Sequence, residues 1–236
     1  MEVFIGWDFR EDIAYQIAKY SLLKNCSESE NLHIYPIQKY EMISKKYYWR
    51  DESNISTSTD FALTRFLTPF LSNSKWSLFI DCDFLAFGDI KKLFEQVDDK
   101  YAIMCVKHDY NPSNSFKMDG QTQSQYPRKN WSSCVLYNKE HPSNNNLTLQ
   151  KINEKHPSYL HRFKWLNDDE IGELDYTWNF LEGWYKPFEN GYPNLVHFTE
   201  GGPFLDTKKH PELLEVDYAK EWLDMYKEFK DINENK

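Results

Sequence analysis

The chain has 236 residues, 40% of them hydrophobic and 28% charged, which supplies apolar mass for one sizeable core and excludes a disordered tail. Its 28 Lys plus Arg against 37 Asp plus Glu leave a net charge of −9, which would repel a phosphate backbone and argues against nucleic acid as a partner. No run approaches the roughly 18 to 20 apolar residues of a membrane span, and Asp8, Arg10, Glu11 and Asp12 stand where a signal core would need apolar residues, so the expectation is a soluble, cytoplasmic protein with no membrane anchor.

Val3-Phe4-Ile5 predicts a first strand, and Ile13, Ala14, Ile17 and Ala18 recur at helical spacing behind the capping residue Asp12. Leu32 to Ile37 reads as a second strand, with Pro36 arguing for an edge position. A polar stretch from Ser53 to Thr59 leads into Asp60 to Leu67, whose spacing predicts a helix ending near Pro69. Trp76 to Ile80 has the pattern of a buried strand that runs straight into Asp81, and Tyr101 to Val106 predicts another. This alternation predicts an α/β layer structure with a largely parallel sheet.

From Lys107 to Asn130 the chain turns polar and loses apolar periodicity, which predicts a long loop of the kind that covers active sites. Cys134 to Tyr137 then reads as a strand, Asn146 to Glu154 as a helix, and Pro211 to Lys230 as an amphipathic helix with Ala219, Trp222, Leu223, Tyr226 and Phe229 on one face. No internal repeat or linker divides the chain, so we expect one domain over residues 1–236. Its parts are a nucleotide-type half over about 1–106, a less regular half over 107–210, and a closing helix over 211–232. Cys26, Cys82, Cys105 and Cys134 form no C-x-x-C pair and read as reduced core thiols. Aromatics make up 17% of the chain, which serves core packing first and leaves open a groove where sugar rings stack on Trp or Tyr.

Two groups of residues point to chemistry. Asp81-Cys82-Asp83 puts two carboxylates one residue apart at the carboxyl end of an apolar strand, where ligands of open α/β sheets bind. Such a pair suits a hard divalent cation able to hold a diphosphate, or else is a solvated turn. His197 follows Leu195-Val196 and precedes Gly201-Gly202, a pair whose backbone could approach a phosphate closely. One imidazole beside two carboxylates would make a mixed N/O site that accepts Mn²⁺.

Taken in order, Gly6-Trp7-Asp8 after the first strand, Arg65, Asp81-Cys82-Asp83, Asn130-Trp131-Ser132-Ser133-Cys134, Leu160 to Leu166, Trp178-Asn179 and His197 to Pro203 resemble the GT-A fold glycosyltransferases. Within these they are most similar to glycosyltransferase family 8 and its small bacterial and viral relatives. The resemblance spans residues 3–204. It implies a Rossmann-like nucleotide-diphospho-sugar transferase fold with a mixed central sheet. It also implies Asp81, Asp83 and His197 as ligands of Mn²⁺ or Mg²⁺, with Gly6, Trp7 and Asp8 at the base and ribose. By the same resemblance Arg65 faces the donor, Ser132 and Ser133 lie beside its sugar, and the catalytic residues Asp168 and Asp169, with Glu170, lie where an acidic or amide residue approaches the reacting carbon, to stabilise the oxocarbenium or orient the acceptor hydroxyl. One departure stands out: the lysine that family 8 places shortly after the histidine is absent from Gly201-Gly202-Pro203-Phe204.

The implied activity is transfer of a sugar from a nucleotide-diphosphate donor, with UDP as the nucleotide, to a saccharide hydroxyl with retention. Two alternatives stay open on sequence: a silent nucleotide-sugar or carbohydrate-binding protein, and a haloacid dehalogenase-type phosphohydrolase, which also places Asp-x-Asp after an apolar strand.

Overall fold

The computed structural model describes residues 1–53, 57–109 and 127–234. Strand β1 (Glu2–Trp7) leads through a 3-10 turn (Phe9–Glu11) into helix α1 (Asp12–Asn25), and strand β2 (His33–Gln38) follows with α2 (Lys39–Ser44). A short α3 (Thr68–Leu71) precedes β3 (Trp76–Ile80), β4 (Phe84–Ala86), α4 (Ile90–Phe94) and β5 (Ile103–Cys105). The second half holds β6 (Cys134–Asn138), α5 (Leu149–Glu154), α6 (Pro157–His161), β7 (Ile171–Glu173), β8 (Phe180–Leu181), β9 (Leu195–His197) and α7 (Ala219–Glu234).

Among the described residues the central sheet has six strands in the order β2-β1-β3-β6-β5-β7. β1 is parallel to β2 and β3, and β7 is parallel to β5, while β6 runs antiparallel to both of its neighbours. The sheet is therefore mixed. β2 forms one edge, where the missing N–H of Pro36 is tolerated. The inner strands β3 and β6 are buried along their whole length, which is why they read as unbroken apolar runs rather than as an alternation.

The reversed direction of β6 has a functional consequence. Ile80, the last residue of β3, pairs with Cys134, the first of β6. The chain before β6 and the chain after β3 therefore meet at one end of the sheet, and the carboxyl ends of β1 and β5 lie there too. A second sheet of three short strands, β4-β9-β8, stands beside this end and pairs Phe84 with His197.

Several expected boundaries move. Asp60 to Leu67 is a turn followed by a 3-10 helix (Thr64–Leu67), and Pro69 opens α3 instead of ending a helix. Phe61 through Pro69 are all buried, so the apolar spacing reflects burial on every side and not one helical face. The closing helix starts at Ala219, after a 3-10 turn (Pro211–Leu214) and a left-handed Tyr218. Its buried face is Ala219, Trp222 and Met225, and Leu223 is exposed. Helix α5 starts at Leu149 because the Thr148 side chain caps it by accepting from the Lys151 N–H. Most of the polar stretch expected as a cover, residues 110–126, lies outside the described residues. All four cysteines are buried and free, as expected.

Candidate metal and donor site

Three residues come together where the two sheets meet. Asp81 and Asp83 stand in the short link between β3 and β4, His197 ends β9, and one ligand atom from each lies within 4.8 Å of the other two. Main-chain bonds set this geometry: the Asp81 N–H donates to Ser133 O at 2.9 Å and the Phe198 N–H to Asp83 O at 3.0 Å. Cys82, between the aspartates, is fully buried, and its thiol donates to Glu11 Oε2 at 3.1 Å.

His197 is held on both sides. Its ring stacks on Phe84 with centroids 4.4 Å apart, and Nδ1 donates to Asn179 Oδ1 at 3.0 Å. The amide orientation of Asn179 is fixed because its Nδ2 donates to Asn130 O at 3.2 Å and to Ser133 Oγ at 2.9 Å. The imidazole hydrogen thus sits on Nδ1, and Nε2 presents its lone pair 3.4 Å from Asp83 Oδ1. A histidine oriented through its other nitrogen is the usual construction of a metal ligand. Two carboxylates and one such imidazole match the donor set of a divalent cation with mixed O/N preference.

Arg65 lies under this group. It is 7% exposed, its NH1 pairs with Asp81 Oδ1 at 2.9 Å and donates to Ser132 O at 3.0 Å, and its guanidinium packs over Phe79. Its observed partners are a ligand-bearing strand end and a neighbouring carbonyl. Ser132 Oγ meets His161 Nδ1 at 2.9 Å, and Ser133 Oγ donates to Asn130 O at 2.7 Å. Both serines are buried.

Gly6-Trp7-Asp8 closes β1 at the same end. A Cβ on Gly6 would meet the Phe61 ring at 2.3 Å, so the glycine is a packing requirement. Asp8 is fully buried and accepts from Arg10 Nε at 2.9 Å and from the Asp60 N–H at 3.0 Å. Burial alone would raise its pKa, but these hydrogen bonds and the Arg10 charge outweigh burial and lower it. Gly201 adopts φ +118°, and its N–H donates to Phe198 O at 3.0 Å, closing a turn. A Cβ on Gly202 would meet Phe204 at 2.7 Å. Both glycines thus have structural work close to His197.

Asp168 and Asp169 are not brought to this group. They precede β7, which is parallel to β5, and so lie at the opposite end of the sheet from the link between β3 and β4; the Ala102 N–H donates to Glu170 O there. Both are exposed, and Asp168 pairs with Arg128. The three-residue 3-10 turn (Asp168–Glu170) leads directly into β7, and Arg128, the partner of Asp168, packs its guanidinium over the Trp131 ring.

The sequence reading missed Glu11, Asn179, His161 and His108. Burial first, and then the charge of Asp83, raise the pKa of Glu11 to about 7, while burial and then Arg65 lower that of His161 to about 3. Burial, reinforced by His197, lowers that of His108 to about 3. Trp178-Asn179 and Leu160 to Leu166 carried the positions of Asn179 and His161 as motif members, but nothing in the sequence told their tasks. Of the four tryptophans in the second half, Trp165 and Trp178 are core residues, Trp131 is partly buried, and Trp184 is 41% exposed.

The fold is that of the GT-A glycosyltransferases. The chain superposes on the glycosyltransferase GlyE of Streptococcus pneumoniae TIGR4 with a TM-score of 0.59 at 15% identity, covering 95% of this chain and 59% of that one. It therefore spans about three-fifths of GlyE. The galactosyltransferase LgtC, solved with donor and acceptor sugar analogs, matches with a TM-score of 0.53 at 11% identity over 97% of this chain and 96% of its own. A glycosyltransferase involved in glycosylation of the major capsid of PBCV-1 matches at 0.51 and 13% identity over 91% and 98%. No protein-family model matches the sequence. Protein CDI of Arabidopsis thaliana is 45% identical over 235 residues, 98% of this chain and 88% of the relative, and the chain belongs to the same family as Protein CDI. Among the described residues no helix is long and apolar enough to cross a membrane.

Proposed function

We propose that this protein is a metal-dependent glycosyltransferase that moves a sugar from a nucleoside-diphosphate donor, a UDP-sugar, to a saccharide hydroxyl with retention. The observation that carries the reading is the convergence of Asp81, Asp83 and His197 at the carboxyl end of the sheet in a GT-A fold. LgtC, which shares that fold, was solved with donor and acceptor sugar analogs, and this supports the same substrate classes here.

Asp81, Asp83 and His197 would hold Mn²⁺ or Mg²⁺, and such an ion supplies electrostatic stabilisation of the leaving diphosphate. The chain's own residues set up that arrangement. Asn179 fixes the tautomer of His197, Arg65 holds Asp81 against the turn before β6, and the Phe84 ring fixes the plane of the imidazole. Gly6 to Asp8 would receive the base and ribose, Ser132 and Ser133 would flank the donor sugar, and Gly201 and Gly202 would shape the turn beside the diphosphate. Retention through the departing phosphate asks for no strong protein base, which accords with Asp168 and Asp169 standing away from the cluster.

The test is nucleotide release. The purified protein with Mn²⁺ is incubated with UDP- and GDP-sugars, with and without mono- and oligosaccharide acceptors, and the freed nucleotide and the glycosylated product are measured. Acceptor-dependent release that EDTA abolishes is the expected result. Binding without turnover would leave a silent binding protein, and turnover of a simple phosphate ester without acceptor would point to a hydrolase.

A further inference from the structure

Residues 179–185 orient two imidazoles by one device. Asn179 fixes Nδ1 of His197 at 3.0 Å, and the Tyr185 hydroxyl meets Nδ1 of His108 at 2.8 Å. His108 follows the carboxyl end of β5, the end of the sheet where Asp81 and Ser133 lie. Its carbonyl accepts from Trp131 Nε1 at 2.9 Å, which ties it to the turn that carries Ser132 and Ser133. His197 lies near enough to act electrostatically on His108. His108 is therefore a neighbour of the cluster, but its ring nitrogens are not among the ligand atoms gathered within 4.8 Å.

The other nitrogen of His108 is unused. The residue is 5% exposed, and among the described residues Nε2 has no hydrogen-bond partner. A buried polar atom without a partner is uncommon and asks for an explanation. With the Tyr185 hydroxyl as the donor to Nδ1, the ring hydrogen sits on Nε2. The result is a neutral, oriented N–H donor beside the cluster.

We propose that His108 is a specificity-determining residue of the donor site, whose Nε2–H donates to a hydroxyl oxygen of the sugar carried by the nucleoside diphosphate. A neutral donor suits a neutral hydroxyl, whereas the diphosphate calls for positive charge. The proposal rests on the donor-site reading given above, and the test separates the two.

Isothermal titration of the full chain with Mn²⁺ compares UDP with UDP-glucose and UDP-galactose, and GDP with GDP-mannose. In His108→Phe, affinity for the bound nucleotide sugar falls about ten- to hundredfold while affinity for the parent diphosphate stays within about twofold. His108→Gln, which keeps an N–H donor, recovers part of the loss. Tyr185→Phe, which frees the ring without removing it, shows a smaller loss with the same selectivity and stands in should His108→Phe fail to fold. Equal losses for diphosphate and nucleotide sugar, or no loss for either, would overturn the role of His108. A wild-type chain that binds the diphosphates but gains nothing from any attached sugar would overturn it too. A wild-type chain that binds none of the five ligands overturns the donor site itself, and this role with it.

Discussion

Asn179 Oδ1 accepts the Nδ1–H of His197 at 3.0 Å, and the same amide donates to Ser133 Oγ and Asn130 O. One buried side chain therefore connects β9, which carries the imidazole, to the turn before β6. Asn179→Ala is expected to weaken Mn²⁺-dependent UDP binding about ten- to hundredfold, the usual cost of removing the partner that orients a ligating histidine. It should also lower stability by about 1–3 kcal/mol, because two or more buried partners lose their bond. Calorimetric titration and urea denaturation measure the two effects separately.

Removing a carboxylate from the cluster tests the metal more directly. Asp83→Ala, like EDTA on the wild type, is expected to abolish the rise in melting temperature that UDP gives with Mn²⁺. Mn²⁺ should act better than Ca²⁺, since a nitrogen ligand suits the former. A thermal-shift series with each ion checks both statements, and a UDP shift that persists in EDTA would remove the metal from the site.

Arg65 and Asp81 form a nearly buried ion pair, with side chains 8% and 14% exposed. Breaking such a pair from one side leaves a charge without compensation, so Arg65→Met is expected to cost about 3–5 kcal/mol. Denaturant titration measures it. A loss below about 1 kcal/mol would mean that solvent reaches the pair as it reaches a surface salt bridge.

Glu182 gives a pH dependence whose sign is fixed. Burial first, and then the charges of Asp217 and Glu200, raise its pKa to about 7 against the accepted Asp217 N–H bond. Between pH 4.5 and about 7 the unfolded chain has released this proton and the folded chain has not, so the group's contribution to stability falls as pH rises through that window. Glu11 acts in the same direction. His108 and His161, lowered to about 3, act in the opposite direction below pH 6.5. Glu182→Gln removes one contribution, and its stability relative to wild type should rise by of the order of 2–3 kcal/mol from pH 4.5 to pH 8. Melting curves at the two pH values measure this.

The four cysteines offer a check on the core. All are buried, and burial raises the thiol pKa of each. A thiol-specific chromogenic reagent is expected to be almost inert toward the native chain and to react with four thiols after denaturation.

What the sequence could reveal depended on how local each signal was. Trp76 to Ile80 announced a buried strand, and Asp81-Cys82-Asp83 stood at its end, so half of the candidate site was visible from one short segment. Pro36 marked an edge strand because its ring removes a donor. Asp60 to Leu67 misled because apolar spacing cannot separate one helical face from a segment buried on all sides. β8 and β9 are too short for a period of two to show. His108 and Glu11 escaped because their surroundings come from distant elements: Tyr185 and Trp131 around the first, Cys82 and Asp83 around the second. Asp168 and Asp169 were placed by resemblance to the family, and the pairing of β7 with β5 sends them to the other end of the sheet.

The pairing of Phe84 with His197 couples the site to chain length in a way that its chemistry does not reveal. Ile80 is locked to Cys134 in one sheet and Phe84 to His197 in the other, and residues 81–83 join these two positions. A single residue inserted or deleted in that bridge would turn a carboxylate toward the core and a thiol toward the imidazole, leaving both sheets whole. Tolerance to length change should therefore be lowest in a three-residue link that belongs to no strand, and an insertion scan would show it as a sharp local minimum.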